Sequence, residues 1–290
     1  KFGILKERLN GVTSLVNSTK GTVTGSEHLV LGIKYLYKGL QSVSGEESLE
    51  PSLEFLSAGT EFAFADESFS KAILLLNEKT IFKGSVEKKI NELASVAKQS
   101  RATVSTIPQI IGAGGKKSYL VLLQNNMELR PGGGFIGSVA QVDFENLRLK
   151  KIEVQDIYNI DGNLKIHVEP PKELKEGLGK NDWFLRDSNW EGDFPTSARQ
   201  AAWFYEKETG LRVDGVVALD LSGMEDLMDI LGPVELTDYN ETINSNNLFE
   251  KAIAHAEVNF FAGSQAKKSF LTALETALFN KMFFLPSQNW

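Results

Sequence analysis

The sequence predicts an α/β fold, a mixed sheet flanked by helices, preceded by an all-helical region. Three observations carry this. Apolar residues recur at helical spacing through residues 1–101. After Ser118 that period gives way to short apolar runs of strand length. Between the two lies ATVSTIPQIIGAGGKK, residues 102–117, whose Pro108, Gly112, Gly114 and Gly115 mark a connection between domains.

In the helical region Leu5, Leu9, Val12 and Val16 repeat at helical spacing, as do Leu29, Ile33, Leu36 and Leu40. Ile73 with Leu76, then Ile90, Leu93 and Ala97, continue the pattern. Gly21, Gly25, Gly45, Pro51 and Gly84 read as punctuation. Ser26 and Ser85 stand where N-caps are useful, with Glu27 and Glu87 in the following turns. His28 is isolated and suits surface or cap duty. No chemistry shows here; paired helices of this length could pack as a bundle or short solenoid and serve as a contact region for a protein partner.

The GAGGKKS tail of the connection fails the G-x-x-x-x-G-K-[ST] spacing and precedes a strand, whereas a P-loop follows one. Nucleotide binding is excluded there. From Ser118 the chain reads as a strand over 119–124, then two more over 135–144 and 147–158 joined by a short turn at Glu145-Asn146. Residues 159–182 are polar and read as a long loop. Thr196 or Ser197 caps a helix with Ala198, Ala201, Ala202 and Tyr205 on one face, ended by Gly210. Val213–Leu219 is a strand. Ser222 caps a helix stopped by Gly232-Pro233, and Val234–Leu236 forms a short strand. Helices near 247–261 and 264–283 follow. One sheet over 118–237 covered by helices is the expected result, with 118–290 as its domain.

Composition narrows the function. The 290 residues carry a formal charge of -7, against a nucleic-acid binder with its basic face. There is no cysteine, which removes disulfides, thiolate catalysis and Cys-ligated zinc. His28, His167 and His255 lack H-E-x-x-H spacing, and no G-x-S-x-G elbow occurs. No apolar run approaches a membrane span. Because the chain starts at Lys1, an upstream anchor helix outside this sequence is an expectation.

Three polar groups could carry chemistry. The stretch LLQNNMELRPGGGFIGS runs from an apolar strand into Asn125, Asn126, Arg130 and Gly132-Gly133-Gly134. Glycine N–H groups in such a turn can form an anion nest, and Arg130 would add a cationic fork. A positive φ at one glycine, with its N–H aimed into a cleft, is the expected sign. A tight connection between strands with a surface arginine explains the stretch equally. Next, Asp182–Pro195 sets Arg186, Asp187, Asn189 and Asp193 among Trp183, Phe184, Trp190 and Phe194. Polar groups between aromatics suit sugar recognition, and they equally suit a loop that pins its own backbone. Last, Asp156 and Asp161 at a strand end could hold Mg²⁺ or be a solvated strand end.

Together LLQNNMELRPGGGFIGS, LRDSNWEGDFPTSARQAAWFYEKETG and VDGVVALDLSGMEDLMDILGPVEL resemble a bacterial cell-envelope family, domain-of-unknown-function family 4012. The last stretch also resembles the LytR-CpsA-Psr superfamily, whose enzymes transfer glycopolymers from a polyprenyl pyrophosphate carrier to the cell wall. The resemblance implies an extracytoplasmic, membrane-anchored protein that binds a lipid-linked glycan or cell-wall polymer. If it is an enzyme, it implies a phosphotransferase-type glycopolymer ligase. Arg130 falls at the superfamily's Arg-Ser-Asp arginine, with Pro131 and the glycines replacing the companion aspartate. Gln155-Asp156 falls at an Arg-Asp pair. On this reading Arg130 and Arg186 bind phosphate, with Asn125, Asn126, Gly132, Gly133, Gly134, Asn189 and Trp190 completing the site. Asp156 or Asp187 acts as base or metal ligand, and Asp156 with Asp161 holds Mg²⁺. The rival reading is a non-catalytic surface protein whose helical region makes the contacts.

Overall fold

A computed structural model describes residues 2–45, 50–78, 80, 82–257 and 266–283. The chain divides into two units, 1–115 with 145–148, and 116–144 with 149–290.

The first unit is helical: α1 (Phe2–Ser44), α2 (Pro51–Leu74) and α3 (Lys83–Ile110). Three expectations change, one being that Gly84 and Ser85 lie inside α3, whose N-cap is Phe82, so Ser85 caps nothing. Gly21 and Gly25 do not punctuate; α1 runs through both, and Ser26 Oγ donates back to the Thr22 carbonyl instead of capping. The connection predicted over 102–117 shortens to 111–115, because α3 continues through Pro108 before β1 begins at Lys116. Pro108 gives up its own bond to the Val104 carbonyl, but the turn closes beyond it, with the Ile111 N–H donating to the Ile107 carbonyl.

The glycines of α1 have a packing reason. α2 buries Phe55, Phe62 and Phe69 at seven-residue intervals, with Ala58, Ala65 and Ala72 between them. A β-carbon on Gly25 would lie 2.6 Å from the Phe69 ring, one on Gly32 2.6 Å from Phe62, and one on Gly39 2.8 Å from Phe55. Rising numbers on α1 meet falling numbers on α2, so the pair is an antiparallel heptad seam with aromatic knobs in glycine holes. α3 adds Ile90, Ala97 and Val104 at the same interval. The apolar repeat that marks α1 as a helix is therefore not the face it buries: Leu5 is 57% exposed and Leu9 58%.

The second unit begins with β1 (Lys116–Asn125), β2 (Phe135–Glu145) and β3 (Arg148–Asp156). Then come α4 (Ile157–Asp161), α5 (Lys172–Leu178), α6 (Phe194–Thr209), β4 (Gly215–Asp220) and α7 (Leu221–Leu231). It continues with β5 (Val234–Leu236), β6 (Glu241–Ile243), α8 (Leu248–Glu257) and α9 (Ala266–Phe283). The main sheet has the order β3-β2-β1-β4, with β1 parallel to β4 and Gln124 opposite Asp220. The predicted α/β class holds.

Several boundaries move for local reasons. β5 pairs with β6 in a separate antiparallel ribbon, so it leaves the single sheet expected over 118–237. The third strand stops at Asp156, whose carboxylate accepts from Tyr158 N–H and starts α4 at the end of the predicted strand, from where it runs into the predicted loop. Asp193, not Thr196 or Ser197, caps α6, and Asp220, not Ser222, caps α7. A carboxylate accepting an N–H at a helix start is favoured by the helix dipole as well. Leu120, Leu122 and Ile136 on one sheet face pack on Ala201, Phe204 and Tyr205 of α6. This packing fixes α6, and with it the second face of that helix, against the loop before it.

Candidate ligand-binding site

The glycine turn after β1 is built by close approach. Gly133 has φ 119°, a conformation that glycine alone adopts readily, so the expected positive φ is present. Its N–H donates to the Arg130 carbonyl at 3.1 Å, and the Gly132 N–H donates to the Asn189 carbonyl at 3.0 Å. The predicted N–H aimed into a cleft is thus corrected: the turn spends these donors on itself. A β-carbon on Gly132 would meet the Asn189 carbonyl at 2.6 Å, and one on Gly134 would collide with the Asn125 carbonyl. Asn189 Nδ2 donates to the Gly134 carbonyl at 2.6 Å, and Gln124 Nε2 to that of Gly132 at 3.1 Å. Gly134→Ala is expected to destabilise the unit by about 1–3 kcal/mol through overpacking against fixed backbone, as a lowered melting temperature would report.

Arg130 and Arg186 do converge, as the sequence suggested, but on a shared acid. Arg130 Nε lies 3.2 Å from Asp187 Oδ1, and Arg186 Nε 3.5 Å from Asp187 Oδ2. Arg186 Nη1 also reaches Asp161 Oδ2 at 2.7 Å. The guanidinium groups lie against rings as well. Arg130 stacks over Phe135 with 5.2 Å to its centroid, and Arg186 over Phe184 with 4.3 Å. Asp187 is 1% exposed. Of the two sequence readings for these loops, this geometry is the fastening one. Asp187 has no free oxygen to act as base, and Asp156 caps α4.

Buried carboxyls complete the cluster. Burial drives the Asp161 carboxyl up to about 6 despite Arg186, with the like charge of Asp187 adding to the rise. Burial also drives Glu208 up to about 8, with Asp161 adding to it, while the Leu185 N–H and Arg186 oppose it. Glu208 Oε2 and Asp161 Oδ1 are both buried without a hydrogen-bond partner, which favours the protonated forms. A carboxyl whose folded pKa is raised binds more protons folded than unfolded. Its contribution is complete below the unfolded value of 4.5 and is lost as pH rises toward 8. Melting temperature should therefore fall between pH 5 and 8, and Glu208→Gln should flatten that fall. An equally steep fall in the variant would dismiss Glu208 as its source.

Each carboxylate that the sequence offered to Mg²⁺ has one oxygen engaged, Asp161 Oδ2 by Arg186 and Asp156 Oδ1 by the Tyr158 N–H. Among the described residues no group of three or more His, Cys, Asp or Glu could hold a metal ion. Of the other expected contacts, Asn125 accepts from Met127 N–H and Asn126 donates to Asp220 and Ser222, so both tie the end of β1 in place. Trp190 is half-buried.

A different opening lies beside the cluster. Thr196, Arg199, Gln200 and Trp203 line one side of α6 at helical spacing, next to the buried stripe of Ala201, Phe204 and Tyr205. With Val168 and Trp183 from the preceding loop they form a groove of about 380 Å³. Trp203 is 40% exposed and packs edge-on to Phe204 at 4.9 Å. Trp183 does the same at 5.2 Å and donates its indole N–H to the Asp187 carbonyl, so the fastened loop also holds one wall of the groove. The sequence reading named Trp183 and missed Thr196, Arg199, Gln200 and Trp203. The available signal was a tryptophan off the apolar stripe of a short amphipathic helix.

Fold and groove together define an α/β domain with a four-stranded mixed sheet and an aromatic-walled cleft beside α6. Residues 114–254 match the model of a family described as "Protein of unknown function (DUF4012)". No curated protein and no solved structure matches the chain.

Proposed function

We propose that the α/β unit is a non-catalytic saccharide-binding domain whose tryptophan groove takes a short segment of glycan. The observation that carries this reading is the groove itself. Two indoles, Trp183 and Trp203, stand with the guanidinium of Arg199 and the amide of Gln200, while the Thr196 hydroxyl donates to Asp193 and accepts from Arg199, holding that guanidinium in place. Aromatic faces accept the C–H face of a sugar, and convergent polar groups fix its hydroxyls. The volume falls in the range of small-molecule sites.

The LytR-CpsA-Psr resemblance supports an extracytoplasmic setting and a lipid-linked or cell-wall glycan as the source of that saccharide. It supports glycopolymer transfer less well, because the arginines meant for pyrophosphate are neutralised by Asp187 and Asp161. No helix among the described residues is long and apolar enough to cross a membrane, so anchorage rests on the resemblance alone.

Tryptophan fluorescence tests the reading. Chito-oligosaccharide and glucan oligomers serve as probes. One of them is expected to shift the wild-type emission saturably, and Trp203→Ala should weaken that binding by about tenfold or more, as loss of a central aromatic anchor does. Unchanged affinity in the variant, or silence with both probes, would sink the proposal.

A further inference from the structure

α1 carries a second apolar row that its packing on α2 leaves bare. Leu9, Val16, Val23 and Val30 stand seven residues apart, and Leu5, Val12, Ile33 and Leu40 fall in the companion row with Thr19 and Ser26. The eight apolar members range from 45% exposed at Val12 to 64% at Val30. They lie across the helix from Gly25, Gly32 and Gly39, the residues that receive the α2 rings. Because that buried seam also repeats every seven residues, α1 is wound to keep a seven-residue row on one side along its length. The bare row therefore stays on one face from Leu5 to Leu40.

We propose that α1 pairs with the α1 of a second copy of this chain as a parallel two-stranded coiled coil. Three arguments select this occupant. First, the row is a two-position seam: one position carries Leu9, Val16, Val23 and Val30, the β-branched choice of two-stranded parallel coils, and the other carries Leu at both ends, Leu5 and Leu40. Second, a parallel pair opposes flanking residues five apart: Leu15 with Lys20, Thr22 with Glu27, Leu29 with Lys34 and Leu36 with Gln41. None of these is a like-charge pair. Third, the area suffices. At about 1.5 Å per residue the row is roughly 52 Å long, and a helix about 12 Å wide gives roughly 600 Å² in projection. That reaches the ~600–1,000 Å² per partner of stable interfaces.

An anionic membrane surface is the competing occupant, since Lys6, Arg8, Lys20, Lys34 and Lys38 make α1 basic. Thr19 and Ser26 at the centre of the row favour the coil over the membrane, because a coiled-coil seam tolerates isolated polar positions that set its register, whereas a surface helix buries that centre in acyl chains. The pairing is independent of the saccharide reading and stands or falls separately.

The chain has no cysteine, so an introduced one reports cleanly. Sedimentation velocity should find a dimer at micromolar concentration. Under mild oxidation Val23→Cys should give a disulfide-linked dimer, and Asn17→Cys, off the row, should not. Val16→Glu with Val23→Glu should weaken association at least about tenfold, with unchanged far-ultraviolet circular dichroism and melting. Three results would each overturn the pairing: a monomer at about 100 µM wild type, Val23→Cys linking no better than Asn17→Cys, or a monomeric wild type that sediments with phosphatidylglycerol vesicles. If the glutamate variant unfolds, the two cysteine variants decide alone.

Discussion

Phe62→Ala should cost the helical unit about 3–5 kcal/mol, the usual range for deleting a buried aromatic ring, and it should reverse the effect of a second substitution. Phe62 is 0% exposed and seats in the hole left by Gly32. In an ordinary helix Gly→Ala stabilises by about 1 kcal/mol. Here Gly32→Ala in the wild-type background places a methyl 2.6 Å from the ring, and a ring buried this deeply has no room to retreat. Overpacking of about 1–3 kcal/mol then outweighs the propensity gain. In the Phe62→Ala background the collision is gone, and Gly32→Ala should stabilise by its ordinary amount. Denaturant unfolding of the four proteins of this cycle reads the coupling directly. Additive effects would mean that α1 and α2 do not pack in the register Gly25–Phe69, Gly32–Phe62, Gly39–Phe55.

Asp187→Ala should be the most damaging single change in the α/β unit, at about 3–5 kcal/mol. It removes the shared partner of two guanidinium groups that are only 13% and 15% exposed. Arg186 keeps Asp161, but Arg130 Nε loses its carboxylate, and a buried charge without one is strongly destabilising. The Trp183 wall of the groove should loosen too, because its indole N–H bonds to the Asp187 carbonyl. Arg130→Ala should cost less, since Asp187 retains Arg186. Thermal melts order the variants: Arg130→Ala above Asp187→Ala. The reverse order would mean that Arg130, not the acid, holds the loops together.

Much of the fold is legible in residue spacing, and the misreadings share a cause. Short apolar runs locate β1, β2, β3 and β4 because strands of this length are buried or half-buried along their course. Gly25 reads as a helix break because intrinsic propensity is all a sequence exposes at a glycine; the Phe69 ring that requires its absent side chain is more than 40 residues away. The caps of α6 and α7 slip by a few residues because Asp193, Thr196, Ser197, Asp220 and Ser222 are all competent caps. At the candidate site the sequence shows that Arg130, Arg186 and Asp187 are unusual. It does not show whether a guanidinium meets a ligand or a carboxylate of its own chain, since both need arginine in a polar loop. The groove escaped because it is assembled from α6 and a loop, Val168 and Trp183, that only the packed structure sets side by side.

The claim on which the functional reading turns is that Arg130 and Arg186 fasten loops and do not bind phosphate. Calorimetric titration of the wild-type protein with inorganic pyrophosphate, with and without Mg²⁺, paired with a thermal melt of Arg130→Ala, tests it most directly. Expected are no saturable heat with pyrophosphate in either condition and a lowered melting temperature in the variant. Saturable pyrophosphate binding that disappears in an Arg130→Ala protein of unchanged stability would contradict it and restore the arginines to a phosphate site.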